Sequence, residues 1–453
     1  MQIISTQAHK STNRGADRAR YEHVAVDRPH APEPVKSRGS DRKHQKPALL
    51  RTALGTLLLG GSLISSAEAI TVALEQTFEG QNPFELFGSS GAVYRDEAIV
   101  GVPFAAPNGP LSGAANLYDA LGTLVTSFEG AAENDFFGAS VAITNNFVLV
   151  GASTADGDAV DAGAAYLYRT DGRLEQTFSG SVSFDAFGSA VALSDNFALI
   201  GAPTADATGE DSGAAYRYTT DGALLQTFAG AAAGDFFGDA VAVSDTLVLV
   251  GAPFADPNGE DSGAAYLYDT NGTLVQTFEG TVAGSRFGTS VSVSGDRVLI
   301  GAPGEASYTG SDIGAAYLYG IDGTLQETFT LDEPGDTFGI SVSLFGNYAL
   351  IGSAYASPNG ANSGIAYLYG TNGTRLHVFE DGTAGALYGA HVSLSRGFAL
   401  ITAPEASPNG ERSGAAYLYS LTPPPENVPF MPAALVLALA GLLGAIGFRR
   451  NGS

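Results

Sequence analysis

The chain has 453 residues, with 22 Lys and Arg against 47 Asp and Glu, a net charge of −25, and no Cys. Lack of Cys excludes disulfides, thiol nucleophiles and thiolate metal centres, so an exported fold must be held by its own core. The acidity excludes nucleic acid and anionic lipid surfaces as partners.

Residues 1–51 carry eleven Lys or Arg against five acids and show no apolar periodicity; an apolar run, 52–65, and Ala67-Glu68-Ala69 follow. A basic region, a run too short to span a bilayer and an Ala-x-Ala site make residues 1–69 a secretory signal with its preamble, cleaved after Ala69. A buried helix is the competing reading.

From residue 70 onward one unit recurs. Its aromatic-Gly pair opens at Phe87, Phe137, Phe187, Phe237, Phe287, Phe338 and Tyr388, at intervals of 50 or 51 residues. Seven copies of one supersecondary unit make residues 70–421 a single repeat architecture. Each copy holds four strand signals, a to d. In the fourth copy these are residues 240–244, 247–253, 263–268 and 273–278, with Asn271-Gly272 turning c into d. Asn-Gly or Asp-Gly pairs recur there because the turn requires positive φ.

Seven four-stranded antiparallel units predict an all-β fold, a seven-bladed β-propeller. Small residues suit strand a, nearest the crowded axis, and the wholly apolar strand b suits cover on both faces. An open β-solenoid is the alternative, and the chain ends decide against it. Leu74-Glu75-Gln76-Thr77-Phe78 reads as a strand d with no a, b or c before it, whereas the last copy stops after c. The orphan fits the vacancy, so the N-terminal strand completes the last blade and closes the ring.

The runs Asp235-Phe236-Phe237-Gly238, Val250-Gly251-Ala252-Pro253 and Ser262-Gly263-Ala264-Ala265-Tyr266-Leu267-Tyr268 resemble the FG-GAP repeat of integrin α-subunit propellers and of many bacterial surface proteins. The resemblance implies an extracellular propeller used for adhesion or ligand binding. The family's calcium loop between strands a and b is absent: the connection is only Thr144-Asn145-Asn146, Ser194-Asp195-Asn196 or Ser244-Asp245-Thr246, too poor in carboxylates for six to eight oxygen ligands.

After the ring, a Pro-rich linker, residues 422–429, leads into an uncharged apolar run, 430–448, and a basic tail, 449–453. At 1.5 Å per residue the run just spans a bilayer core of about 30 Å, and the arginines place the ring outside. Val428-Pro429-Phe430-Met431-Pro432-Ala433 with this span resembles a PEP-CTERM sorting signal. That resemblance implies processing by an exosortase-like enzyme and delivery to the cell surface or extracellular matrix of a bacterium; a plain membrane anchor is the alternative.

Residues 70–430 hold nine Arg, no Lys and 41 Asp or Glu. Antiparallel strands place the d-to-a and b-to-c loops on one face and the two hairpin turns on the other. The first face takes 26 of those acids and two of the Arg. An acid stands two residues before the aromatic at Glu85, Asp135, Asp185, Asp235 and Asp336, and these five are the expected binding face. The b-to-c loops add Asp156, Asp158 and Asp161; Asp206, Glu210 and Asp211; and Asp256, Asn258, Glu260 and Asp261. Alternating oxygen side chains of this kind could share calcium, though Pro257-Asn258-Gly259 is also simply a polar turn.

No nucleophile elbow, His pair or phosphate loop stands in the repeats, and His377 and His391 occupy positions that do not recur. The expectation is a monomeric, non-catalytic, exported ring that binds a protein or polysaccharide with its acidic face. A carbohydrate-active hydrolase or lyase on the same scaffold and a purely structural matrix protein are the alternatives. The repeated Tyr of strand c, such as Tyr216, Tyr218, Tyr266 and Tyr268, is read as packing between blades.

Overall fold

The computed structural model describes residues 70–305, 313–331, 337–380 and 383–422; residues 1–69, read above as a secretory signal, the expected linker beyond Thr422, apolar run and basic tail, and Asp336 lie outside them. Among the described residues 28 strands form seven separate four-stranded antiparallel sheets. No helix among them is long and apolar enough to cross a membrane.

Strand character follows from what covers each strand. In the fourth blade the order from the axis outward is a (Ala240–Val243), b (Leu247–Ala252), c (Ala264–Asp269) and d (Leu274–Glu279). Strand b is buried along its whole length, which is why it is written without polar residues. Strand c buries Ala264, Ala265 and Leu267 and half-buries its two Tyr; strand d buries only Phe278. The apolar core therefore lies between blades. One cluster joins Leu199, Ala215 and Phe228 of the third blade to Phe237, Val248 and Val250 of the fourth.

Every seam repeats one aromatic contact. Phe128, Phe178, Phe228, Phe278, Phe329 and Phe379 of strand d meet Tyr168, Tyr218, Tyr268, Tyr319, Tyr369 and Tyr419 of the next blade, with ring centroids 4.5 to 4.9 Å apart. The seventh seam is made by Phe78 and Tyr118 at 4.3 Å. The repeated Tyr thus pack between blades, as expected. Such pairs contribute roughly 0.5–1.5 kcal/mol beyond their buried area.

The ring closes through the chain ends. The N-terminal strand, Thr71–Glu79, pairs antiparallel with the last one, Ala415–Thr422, from Thr71 opposite Thr422 to Glu79 opposite Ala415. Strand a of each blade neighbours strand a of the next, first to seventh included. Three serines tie this inner ring: Leu344 N donates to Ser292 Oγ (3.0 Å), Leu394 N to Ser343 Oγ (2.8 Å) and Val93 N to Ser393 Oγ (3.1 Å).

Two local devices complete the ring. At the rim, all seven c-to-d pairs carry a register shift near the start of strand d, as between Leu267 and Tyr268. Bulges bend the outer edge away from flat pairing and so guard against edge-to-edge association. Inside, strand b carries Gly where blades approach most closely; a Cβ on Gly251 would lie 2.1 Å from the carbonyl oxygen of Gly288. Six blades keep this Gly, but the seventh has Thr402, fully buried, against Gly91, where each of the other six blades has Val. The seam between last and first blades is therefore built differently from the rest.

Candidate functional site: the loop face

Backbone hydrogen bonds weld each d-to-a loop to the b-to-c loop before it. Between the second and third blades, Gly180 N donates to Gly163 O (2.8 Å), Asp158 N to Gly180 O (2.9 Å), Phe184 N to Asp161 O (3.0 Å) and Phe187 N to Ala162 O (3.0 Å). Gly188 N then donates to Gly201 O (2.9 Å), which anchors the start of strand a. The bonds of Gly180 N, Phe187 N and Gly188 N recur at most described seams, as Gly230 N to Gly213 O, Phe237 N to Ser212 O and Gly238 N to Gly251 O, whereas at this seam Phe184 N reaches Asp161 O where Gly234 N reaches Glu210 O, so the loops share a backbone frame with local differences.

The repeated acid before the aromatic is not where the sequence reading put it. Asp135, Asp185 and Asp235 are buried, at 6, 9 and 7% exposure. Asp135 Oδ2 accepts a hydrogen bond from Ala132 N (2.9 Å) and Asp235 Oδ2 one from Ala232 N (3.0 Å). Half-buried Glu85 does the same with Asn82 N (3.1 Å). These side chains close the turn from inside, since a buried backbone donor must find an acceptor. Three of the five acids expected to present a binding surface are thus buried, and two of them, Asp135 and Asp235, cap their turns from inside; Asp336 lies outside the described residues.

The fifth blade shows that the buried carboxyl belongs to the fold. Ser285, with 0% exposure, stands where Asp135, Asp185 and Asp235 stand in other copies. In compensation Glu305 replaces the buried alanine found at Ala155, Ala205 and Ala255, and Tyr317 and Ser285 hold its carboxyl by hydrogen bonds. Burial pushes the Glu305 carboxyl up. Comparing Ser285 with Glu305 across copies would have found this exchange, because one loop loses an acid where its neighbour gains one.

Burial also pushes the Asp135 carboxyl up, against hydrogen bonds from Ala132 and Ala131 that pull it down. For Asp185, burial, reinforced by the charge of Asp206, pushes the value up to about 6. A folded-state value raised above the unfolded one, near 3.9, means that the folded chain binds the proton more tightly. The stabilisation is complete below pH ~4 and is lost as pH rises from there through 6. Asp185→Asn, which removes the charge, is therefore expected to stabilise the ring at pH 7. Water reaches part of the carboxyl, so the gain is discounted to about 1–2 kcal/mol. Thermal melts at pH 4 and pH 7 check this: a gain confined to pH 7 is expected, and a lower midpoint at pH 7 would refute it.

The b-to-c loops also close on themselves. Asp156, Asp206 and Asp256 each use Oδ1 to accept the backbone N–H of Asp161, Asp211 and Asp261, at 3.0, 2.8 and 2.8 Å. Asn258 Nδ2 donates to Gly280 O (2.9 Å). In the sixth and seventh blades Ser357 and Ser407 make the same cap for Asn362 and Arg412, both at 3.0 Å, without charge. Among the described residues no three His, Asp or Glu gather as a metal site would require. The three loop sets considered for calcium thus fit turn capping better than an ion of six to eight oxygen ligands.

What remains exposed on this face are the tips: Asp156, Asp158, Asp206, Glu210, Asp256, Asn258 and Glu260, with Asp161, Asp211 and Asp261 half-buried beneath them. They concentrate the acidity over the second to fourth blades. Among them stand aromatic side chains that composition did not single out. Phe104 meets Phe136 edge-on at 5.5 Å; Phe254 meets Phe236 at 5.1 Å and lies under the Arg286 guanidinium at 5.1 Å. Phe184 is 69% exposed and Phe84 54%, both at positive φ. Of the two histidines, His377 sits on an outer strand against Phe379, where burial lowers its pKa. His391 stands just before the seventh strand a, exposed, with its backbone N–H donating to Thr402 Oγ1 (3.1 Å).

No curated protein proves similar to this chain. The FG-GAP repeat is matched six times, at residues 128–168, 177–218, 227–268, 279–319, 332–369 and 378–419, together more than half of the chain. Each match starts close to a strand-d Phe and ends at the Tyr it packs against across the seam, as Phe128 with Tyr168, so the matched unit is the interface between blades. The unit at 78–118 folds in the same way without being matched, and the chain belongs to the FG-GAP repeat family.

Proposed function

We propose that the ring is an exported, non-catalytic binding module that takes a protein or polysaccharide on its loop face, outside the cell. FG-GAP propellers form a scaffold consistent with extracellular binding or adhesion. The observation that carries the choice of face is the place where the chain enters and leaves. Thr71 and Thr422 stand opposite each other at the hairpin end of the seventh blade, so both termini depart from the face away from the long loops. A tail held by a membrane, or by the product of an exosortase-like enzyme, would hold the hairpin face inward and leave the loop face clear.

Local chemistry supports the same surface. Backbone hydrogen bonds fix the loop frame, while the tips differ from blade to blade, the arrangement by which rigid scaffolds carry recognition. The acidic tips attract cationic groups over about 8–10 Å at physiological salt.

Two sets of substitutions test the reading in the full chain. Asp158→Asn, Glu210→Gln and Glu260→Gln together neutralise loop tips; Asp96→Asn, Asp195→Asn and Asp296→Asn neutralise hairpin turns. Coated beads are to be scored for retention on layers of extracellular protein and of extracellular polysaccharide. Retention is expected to fall at least threefold with the first set and stay level with the second; the reverse pattern would sink the proposal.

A further inference from the structure

Residue 184 stands at a backbone position that four other copies fill with Asn134, Gly234, Gly284 and Gly385, residues suited to left-handed φ, and that the first copy also fills with a Phe, Phe84, there facing Glu411 and Arg412. Here a Phe holds φ at 70° with 69% of its surface exposed. It gains nothing from burial and bears a strain that Gly would relieve. Such strain at an exposed bulky residue points to a use outside the fold.

Its surroundings single out this corner. The bond from Phe184 N to Asp161 O lays Phe184 beside the chain next to Val160, and that from Asp185 N to Val182 O turns the chain between Val182 and Phe184; Val160 (63%), Val182 (54%) and Phe184 are all exposed. In the third, fourth and seventh blades the place of Val160 is taken by Glu210, Glu260 and Glu411. Around the three apolar side chains stand exposed Asp158 and Asp206 and half-buried Asp161; Thr204 Oγ1 donates to Phe184 O at 2.6 Å and brings Asp206 near. Residues 153–162, 180–189 and 203–212, which build the corner, contain no Lys or Arg.

We infer that this corner, at the seam of the second and third blades, docks a protein segment in which an apolar side chain is flanked by Lys or Arg. Phe184, with Val160 and Val182, receives the apolar side chain; the ring of carboxylates receives the cations. Exposed apolar side chains held close in the chain and rimmed by charge have the form of a protein contact, and charge complementarity selects the basic partner and speeds the encounter. A neutral glycan would leave the carboxylates unanswered. The inference rests on the loop-face reading above and names the partner class of that face.

The test uses the full chain and twelve-residue synthetic peptides with a central Leu-Phe pair flanked by Lys and Arg, the same peptides with Glu flanks or a Ser-Ser centre, and a neutral glucan. Only the basic apolar peptide is expected to bind, less tightly as salt rises. Phe184→Gly is expected to weaken it at least tenfold while the melting temperature holds or rises, and Asp158→Asn to weaken it two- to fivefold with a shallower salt dependence. Equal peptide binding by Phe184→Gly, a lowered melting temperature in that variant, or glucan binding in place of peptide would each overturn the inference. If Phe184→Gly retains everything while the loop-tip triple variant loses retention on protein layers, the corner is wrong and the face stands. If the triple variant is also unaffected, both fall.

Discussion

Removing the strand Thr71–Glu79 is expected to lower the unfolding midpoint steeply, by a free energy on the order of 5 kcal/mol or more. The segment buries Phe78 to 4% exposure and supplies its ring to Tyr118 at 4.3 Å. It also covers the full length of Ala415–Thr422, whose outward N–H and C=O groups would otherwise form an open edge. Loss of the Phe78 ring alone, in Phe78→Ala, should cost about 3–5 kcal/mol. The deletion adds loss of the closing ladder and of the bond from Asn409 Nδ2 to Gly80 O (3.1 Å), which leans on the same segment. Urea titration followed by circular dichroism reads the effect. An unchanged midpoint would mean that the ring holds without its N-terminal strand.

Gly91→Val is expected to destabilise the same seam by about 1–3 kcal/mol, although six of the seven blades carry a branched residue there. A Cβ at Gly91 would lie 2.9 Å from Thr402 Cγ2 and 3.1 Å from Leu400 Cδ2. Valine adds two methyl groups beyond that Cβ, in a seam where Thr402 and Leu400 are 0 and 1% exposed. Thr402 is also tied on its own side, accepting at Oγ1 from His391 N (3.1 Å), so it cannot swing away without losing that bond. The rescue is more telling than the loss. Gly91→Val with Thr402→Gly recreates the arrangement of the other six seams, and most of the stability should return. A coupling of at least about 1 kcal/mol in the double-mutant cycle is expected; additive losses would show that the two residues do not answer each other.

The blade count, the strand order and the closing strand were legible in the sequence because each rests on local chemistry. Phe237-Gly238, the apolar run from Leu247 and the turn at Asn271-Gly272 each demand one backbone conformation, and seven repeats leave little freedom in how they stack. The candidate site was less legible. Asp135 and Asp158 are the same residue type on the same face, yet one is buried and the other exposed. The difference arises from a turn whose unpaired N–H draws an acceptor inward, as Ala132 N draws Asp135. Composition counts both as surface charge.

Phe184 escaped notice for the converse reason. An aromatic residue near a Phe-Gly pair reads as core, and only its φ of 70° and its exposure separate it from Phe187, two residues after the buried Asp185 and 2% exposed. The sequence by itself determined the ring, since hydrophobic period and turn chemistry are properties of neighbouring residues. Tertiary structure alone decided which acids cap turns and which aromatic side chains reach solvent. Those outcomes depend on how one blade's loop lies against the next, through bonds between residues some 20 positions or a whole circuit apart.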